Sequence, residues 1–299
     1  MGRPRTAKGR PCKAQYFFEG WIVMVELSKI IGFIDEIAPY SYSMKGDCDG
    51  VDVCFDYSAP ISKVLVCVDI TMDAAEYAKE NGYELIISHH TMIYNGLKKL
   101  DCAEPAANKA LYLARNGISA LSAHTRLDAA PGGVGDCLLE CIGVDSASAM
   151  HFGNDDCENV GRIFELPKTL SVPDFADHVK KSLNAFFAEN NAPYNDCQVN
   201  FVDNGRPVKR IAAVGGGGQN FFECALKYDI DTFFTGEVKY GSLMGIIDKI
   251  DSNGKKINFI VAGHFETEAV VLPSLCRRIM ERFEGLSADA YYSDRVKWS

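Results

Sequence analysis

Apolar side chains recur along this chain with two periods, and their alternation sets an order of elements. In MVELSKIIGFIDEIAP the apolar positions Val25, Leu27, Ile30, Ile31, Phe33, Ile34 and Ile37 share one helical face. The pattern predicts a helix from Met24 that stops before Pro39, because the residue preceding a proline is pushed out of the helical region. A loop rich in Gly and Asp follows, Tyr40 to Val51. ISKVLVCVDI, Ile61 to Ile70, is an apolar run of strand length. TMDAAEYAKENG predicts a helix, with Thr71 or Asp73 as its cap and Gly82 as its stop. YELIISHH is the next strand and DCAEPAANKALYLARNG the next helix. ISALSAHTRLDAAPGG opens as a strand that ends near His124, and VGDCLLECIG is a short helix.

A second series starts near Gly161. RIFELP is strand-like, and SVPDFADHVKKSLNAFFAEN is an amphipathic helix with Ser171 as candidate cap. KRIAAVGGGGQNFFECALKYDIDTFFTGEVKYGSLMGIIDKI predicts strand, glycine turn, helix, strand, turn, helix. NFIVAGHFETEAVVLPSLCRRIMERF predicts strand, turn and one long helix. Strands alternating with helices imply an α/β fold: two α/β lobes with largely parallel sheets flanked by helices. Composition places the lobe boundary in VDSASAMHFGNDDCENV, and DAYYSDRVKW is expected to return to the first half. The expected division is an extension over 1–23, a first lobe over 24–150 plus 255–299, and a second lobe over 151–254.

The first 23 residues change the charge picture. They carry five basic residues and one acidic residue, Glu19, and read as a disordered extension or an upstream start, with Met24 the expected beginning of the fold. The whole chain has 31 basic and 40 acidic residues, so the remainder holds 26 and 39, a net of −13. That balance argues against nucleic acid as a partner, since phosphate binding needs a basic face. No apolar run approaches the ~20 residues of a membrane-spanning helix. Eleven cysteines occur without a C-x-x-C pair. Cys137 and Cys141, four apart with no histidine beside them, fit core packing. A reducing cytoplasm is the expected location.

Three strand exits carry residues able to bind metals. ELIISHH ends in His89 and His90, AHTRLDAAPGG holds His124 and Asp128, and AGHFETE holds His264, Glu266 and Glu268. In open parallel sheets functional groups gather at the carboxyl ends of strands. Neighbours in a strand point to opposite faces, so His89 and His90 can share a site only where the strand has stopped. His264 and Glu268, four apart at a helix start, lie on one face. Imidazoles with carboxylates suit zinc, iron, manganese, cobalt or nickel. One such ion needs about four ligands. His89, His90, Asp128, His264 and Glu268 make five, two of them carboxylates able to bridge, which suits a dinuclear centre. His151 and His178 are assigned no role. The turn Gly215–Gly218 offers either backbone N–H groups for an anion or tight packing. Glu237, after the strand IDTFF, is a candidate partner for a metal-bound histidine.

These stretches, in this order, resemble the Nif-three-like dinuclear metal-centre proteins, also labelled GTP cyclohydrolase type 2 homologues. SHHTMIY resembles the family's His-His segment and AHTRLDAAPGGVGDCL its His-Thr-x-Leu-Asp segment. VGGGGQNFFECALKYDIDTFFTGEVKY resembles its glycine turn and Thr-Gly-Glu segment, and AGHFETE its Gly-His-x-x-Thr-Glu segment. The likeness runs from Val25 to Phe283. It implies two divalent metals on His89, His90, Asp128, His264 and Glu268, with Asp128 and Glu268 as bridges. It also implies a toroidal homohexamer, in the compact form without an inserted domain. Two segments depart from the family pattern. GDCDGVDVCF stands where Trp-Asp-Asn-Val-Gly is usual, and Tyr240 and Gly241 stand where some members carry histidines.

The resemblance implies a metal-dependent hydrolase, with GTP the substrate its label names: hydroxide would attack the guanine C8 and open the imidazole ring. A nucleotide or another small molecule is the expected substrate class. His124 is the candidate proton shuttle, or else it orients Asp128. The alternative is a non-catalytic hexamer that binds or delivers metal. A phosphoesterase or nuclease acting on nucleic acid is disfavoured by the acidic remainder.

Overall fold

The computed structural model describes residues 24–193 and 196–292. The expected extension over 1–23, and the end of DAYYSDRVKW beyond Tyr292, lie outside the described residues.

The chain opens with β1 (Val25–Glu26) and α1 (Leu27–Ile37), whose Leu27, Ile30, Phe33 and Ile34 are buried. The expected helix therefore begins three residues after Met24, since Val25 and Glu26 pair with another segment. β2 (Gly50–Val53), β3 (Pro60–Ile61) and β4 (Lys63–Cys67) follow, and β3 is the partner of β1. Next come α2 (Met72–Glu80), capped by the Thr71 side chain, and β5 (Leu85–Ser88). α3 (Pro105–Arg115), β6 (Ser119–Ser122), α4 (Thr125–Ala129) and α5 (Val134–Cys141) complete this half.

β7 (Met150–Asn154) and β8 (Cys157–Leu170) form a hairpin. The Asn154 side chain accepts the N–H groups of Asp156 and Cys157 and closes the turn, so a polar stretch that resembles a linker folds as strand. After α6 (Val172–Glu189) come β9 (Asn200–Val202), β10 (Val208–Val214), the short α7 (Phe222–Ala225) and β11 (Thr232–Thr235). α8 (Tyr240–Ser252) and β12 (Asn258–Val261) follow. The single long helix expected next is two, α9 (His264–Ala269) and α10 (Leu272–Arg282). Pro273 lies in the first turn of α10, where its missing N–H costs nothing but where no preceding helix can run through. β13 (Ser287–Tyr291) closes the described fold.

Five strands form one sheet in the order β13-β4-β5-β6-β2, parallel except for β2. Six form a second, β7-β8-β10-β11-β12-β9, and β1 and β3 form a two-stranded sheet of their own. This second sheet is mixed: only β10, β11 and β12 are mutually parallel, and antiparallel strands flank them. Within 255–299, β13 pairs with β4 in the first sheet and β12 sits beside β11 in the second. Alternate residues of β4 and β5 face different layers. Val64, Val66, Leu85 and Ile87 join a core that also takes Ile211, Ala213, Phe234 and Ile260 from the second sheet. Leu65, Cys67 and Ile86 face α2 and α3 on the outer side. Strands covered on both faces read as unbroken apolar runs, which is why these were legible.

Candidate metal centre

β5 ends at Ser88, and the chain turns there. His89 and His90 then place their rings 5.0 Å apart, on one side, as they could not within a strand. β6 ends at Ser122 and delivers His124, then Asp128 one turn into α4. β12 ends at Val261 and delivers His264 and Glu268 on α9. Three chain segments from two sheets thus meet at the carboxyl ends of their parallel strands.

Glu268 is central. Its Oε1 lies 3.5 Å from His89 Nε2 and 3.1 Å from His264 Nε2, and its Oε2 lies 3.0 Å from His90 Nε2. Asp128 Oδ1 is 3.6 Å from His89 Nε2. Among the described residues, three clusters could hold a metal ion: His89, Asp128 and Glu268; His90, His264 and Glu268; and His89, His90 and His124. The five residues singled out in the sequence are brought together. Glu268 belongs to two of these groups and Asp128 to one.

The outer nitrogen of every ring is tied down. His90 Nδ1 meets Asp69 at 2.9 Å, His124 Nδ1 meets Asp47 at 2.8 Å, and His264 Nδ1 meets Glu237 at 2.7 Å. His89 Nδ1 meets the Ala123 carbonyl at 3.2 Å. Carbonyls and ionised carboxylates only accept, so each Nδ1 donates and each Nε2 is left for the site. Glu237 thus has the position its strand exit suggested. Asp69 and Asp47 were missed. Asp69 looked like strand interior because the apolar run around it extends beyond the end of β4, and Asp47 sits in a loop where an aspartate is unremarked.

Electrostatics follow from burial against these partners. Burial opposes charge on His90, yet hydrogen bonds to Asp69 and Glu268 outweigh it and push its pKa up to about 11. His264 rises to about 9 by the same contest, with Glu268 and Glu237 as partners. Burial opposes ionisation of Glu268 too, but the surrounding imidazoles hold it well below the usual range, whereas burial raises Asp128. The Asp47 carboxyl is held low by His124 and Thr125 despite its burial.

Three buried atoms, His89 Nε2, Asp128 Oδ1 and Glu268 Oε2, make no well-aligned hydrogen bond. Buried polar atoms left unpaired cost free energy, and here they converge. Borderline-soft cations fit such a set of imidazole nitrogens and carboxylate oxygens. The glycine turn serves packing. Gly216 stands at φ +58°, and a Cβ there would lie 1.9 Å from Glu268 Oε1. Its N–H donates to Thr267 Oγ1 and that of Gly218 to Thr235 Oγ1, so neither is directed at an anion.

A family model described as Duf34/NIF3 (NGG1p interacting factor 3) matches residues 25–296. A Clostridium perfringens protein named GTP cyclohydrolase 1 type 2 homolog is 31% identical over 261 residues, covering 87% of this chain and 93% of its own. The NGG1-interacting factor 3 of Saccharomyces cerevisiae is 26% identical over 276 residues, covering 87% and 92%. Among solved structures, a hypothetical protein of Staphylococcus aureus superposes with a TM-score of 0.76 at 22% identity, covering 92% of this chain and 99% of that one. A Bacillus cereus protein related to NIF3 gives 0.75 at 19%, with the same coverage. These likenesses carry the fold, and the match over nearly all the described residues carries the family: the chain belongs to the Duf34/NIF3 family.

Proposed function

We propose that this protein is a hydrolase dependent on two divalent transition-metal ions. His89, Asp128 and Glu268 would hold one, and His90, His264 and Glu268 the other. The observation that carries this is the sharing of Glu268 by two ligand groups, beside which His89 Nε2, Asp128 Oδ1 and Glu268 Oε2 make no well-aligned hydrogen bond. Paired divalent cations supply Lewis acidity and activate water near neutral pH. The chain's own residues do the rest. Asp69, Glu237 and the Ala123 carbonyl fix the rings, and buried Glu268 and Asp128 balance cationic charge. His124, its Nδ1 occupied by Asp47, turns Nε2 to the site and accepts or returns a proton there. The half-exposed His264 marks the side open to a substrate.

The relatives' name points to GTP, so ring opening with release of formate is the first activity to assay on protein loaded with zinc, iron, manganese, cobalt or nickel. Wild type should turn over, and His124→Ala should keep its metal and lose activity by about 10²-fold or more. Full metal content with no turnover in either form, on GTP and a nucleotide panel, would instead favour the metal-binding or delivery scaffold. We also take the assembly to be a homohexamer in the cytoplasm. The ten described cysteines are all free, in keeping with a reducing compartment, and sedimentation velocity would test the hexamer.

A further inference from the structure

The segment GDCDGVD, Gly46 to Asp52, lies outside the five-residue ligand set, yet its three aspartates all turn toward the site walls. Asp52 accepts the Ile93 N–H at 3.1 Å, just beyond the His89–His90 exit. Asp49 accepts the His124 backbone N–H at 3.1 Å and lies 3.1 Å from Nε of the buried Arg126. Asp47 accepts from His124 Nδ1 at 2.8 Å and from the Thr125 hydroxyl at 2.6 Å. Its side chain is only 3% exposed, so water does not compete for those contacts. The segment is itself anchored: the Met44 N–H donates to Thr125 Oγ1 at 2.7 Å, and the Lys45 N–H donates to the Asp156 carbonyl at 3.1 Å, in the β7–β8 turn.

We propose that Asp47 is the positioning residue for His124. Its carboxylate, steadied by Thr125, fixes the ring plane and the Nδ1–H tautomer, and so presents Nε2 beside His89 and His90. One ring nitrogen from each of those three histidines already lies within 4.8 Å of the others. A carboxylate behind an imidazole does two things: it selects the tautomer, and it stabilises the ring when Nε2 takes a proton. Capping of α4 alone would not need the ring, because the Thr125 hydroxyl and N–H could satisfy Asp47 without it. The role assigned to His124 rests on the hydrolase reading, but the position of its ring does not.

Crystal structures and metal content of the wild type, Asp47→Ser and Asp47→Asn, all full-length, test the proposal. Serine keeps an oxygen for the start of α4 but is too short to reach the ring. Asparagine keeps an acceptor at the ring. In Asp47→Ser the His124 nitrogen should move beyond 4.8 Å from those of His89 and His90, while metal per chain stays at the wild-type level. In Asp47→Asn the ring should stay. A ring unmoved in Asp47→Ser would overturn the proposal, and so would loss of metal from Asp47→Asn, which would make Asp47 part of the metal shell. Failure of the hydrolase reading would show separately, as absent turnover in the wild type with the ring responding as expected.

Discussion

Glu268 divides two carboxylate oxygens among three imidazoles, so its removal should be felt on both sides of the site. We expect Glu268→Gln to bring metal per chain from about two to near zero, and Asp128→Asn to remove about one. Elemental analysis of protein purified without chelator decides it, and equal losses in the two variants would sink the shared bridge. Protonation gives a second expectation. With His90 near 11 and His264 near 9, both rings hold protons at neutral pH in the metal-free site. Cations must displace them, so affinity should rise with pH and loading should release protons. Calorimetry in two buffers of different ionisation enthalpy measures that release. The same shifts bear on stability. The raised His90 contributes fully below 6.5 and loses its contribution as pH climbs toward about 11. The lowered Glu268 contributes fully above 4.5 and loses its contribution as pH falls. Melting temperatures of chelated protein should therefore fall on both sides, and a flat profile between 6.5 and about 11 would contradict this. The five ligand candidates were legible because histidines interrupting apolar runs at strand exits are uncommon. Asp47 and Asp69 were not, because nothing in sequence distance links residue 47 to 124; only the packed fold joins them.

Among the elements, the glycine turn after β10 makes the sharpest demand. Gly216 needs a left-handed backbone and space that Glu268 already fills. Gly216→Ala should lose about 1–2 kcal/mol from the backbone alone, and should also displace Glu268 and so metal. Gly241→Ala, in α8 with nothing within 4 Å of a Cβ, is the control and should stabilise by up to about 1 kcal/mol. Denaturant unfolding of the two variants, with metal content, separates site damage from backbone cost. Strong apolar runs gave β4, β5 and β6 their place in the sequence reading. RIFELP marked β8, but β7 and the turn into β8 escaped because the turn and edge are polar, and the break between α9 and α10 escaped because helical periodicity continues across Pro273.

At the scale of the whole molecule the two sheets are joined by a shared core and by an ion pair. Arg162 of β8 is fully buried, with Nε against Asp136 of α5 and a second nitrogen on the Asn159 carbonyl. Arg162→Met should cost about 3–5 kcal/mol, because a buried carboxylate loses its partner, and adding Asp136→Leu should recover much of it. Urea denaturation of the single and double variants would show this, and a strictly additive double loss would refute it. That junction is also where the sequence reading was weakest. The assignment of β12 to one sheet and β13 to the other depends on long-range pairing that no local pattern encodes.

The site straddles that junction. His89, His90 and Asp128 arrive on the five-stranded side, and His264 and Glu268 on the six-stranded side. On the proposed two-metal reading, a nascent chain with only one sheet assembled would carry half a chelate. Three donors on one side or two on the other would bind weakly, and full affinity would arise only when both halves dock. Metal capture would then time-stamp the last step of folding, and an ion once seated would act as a rivet between halves that were strangers until that moment.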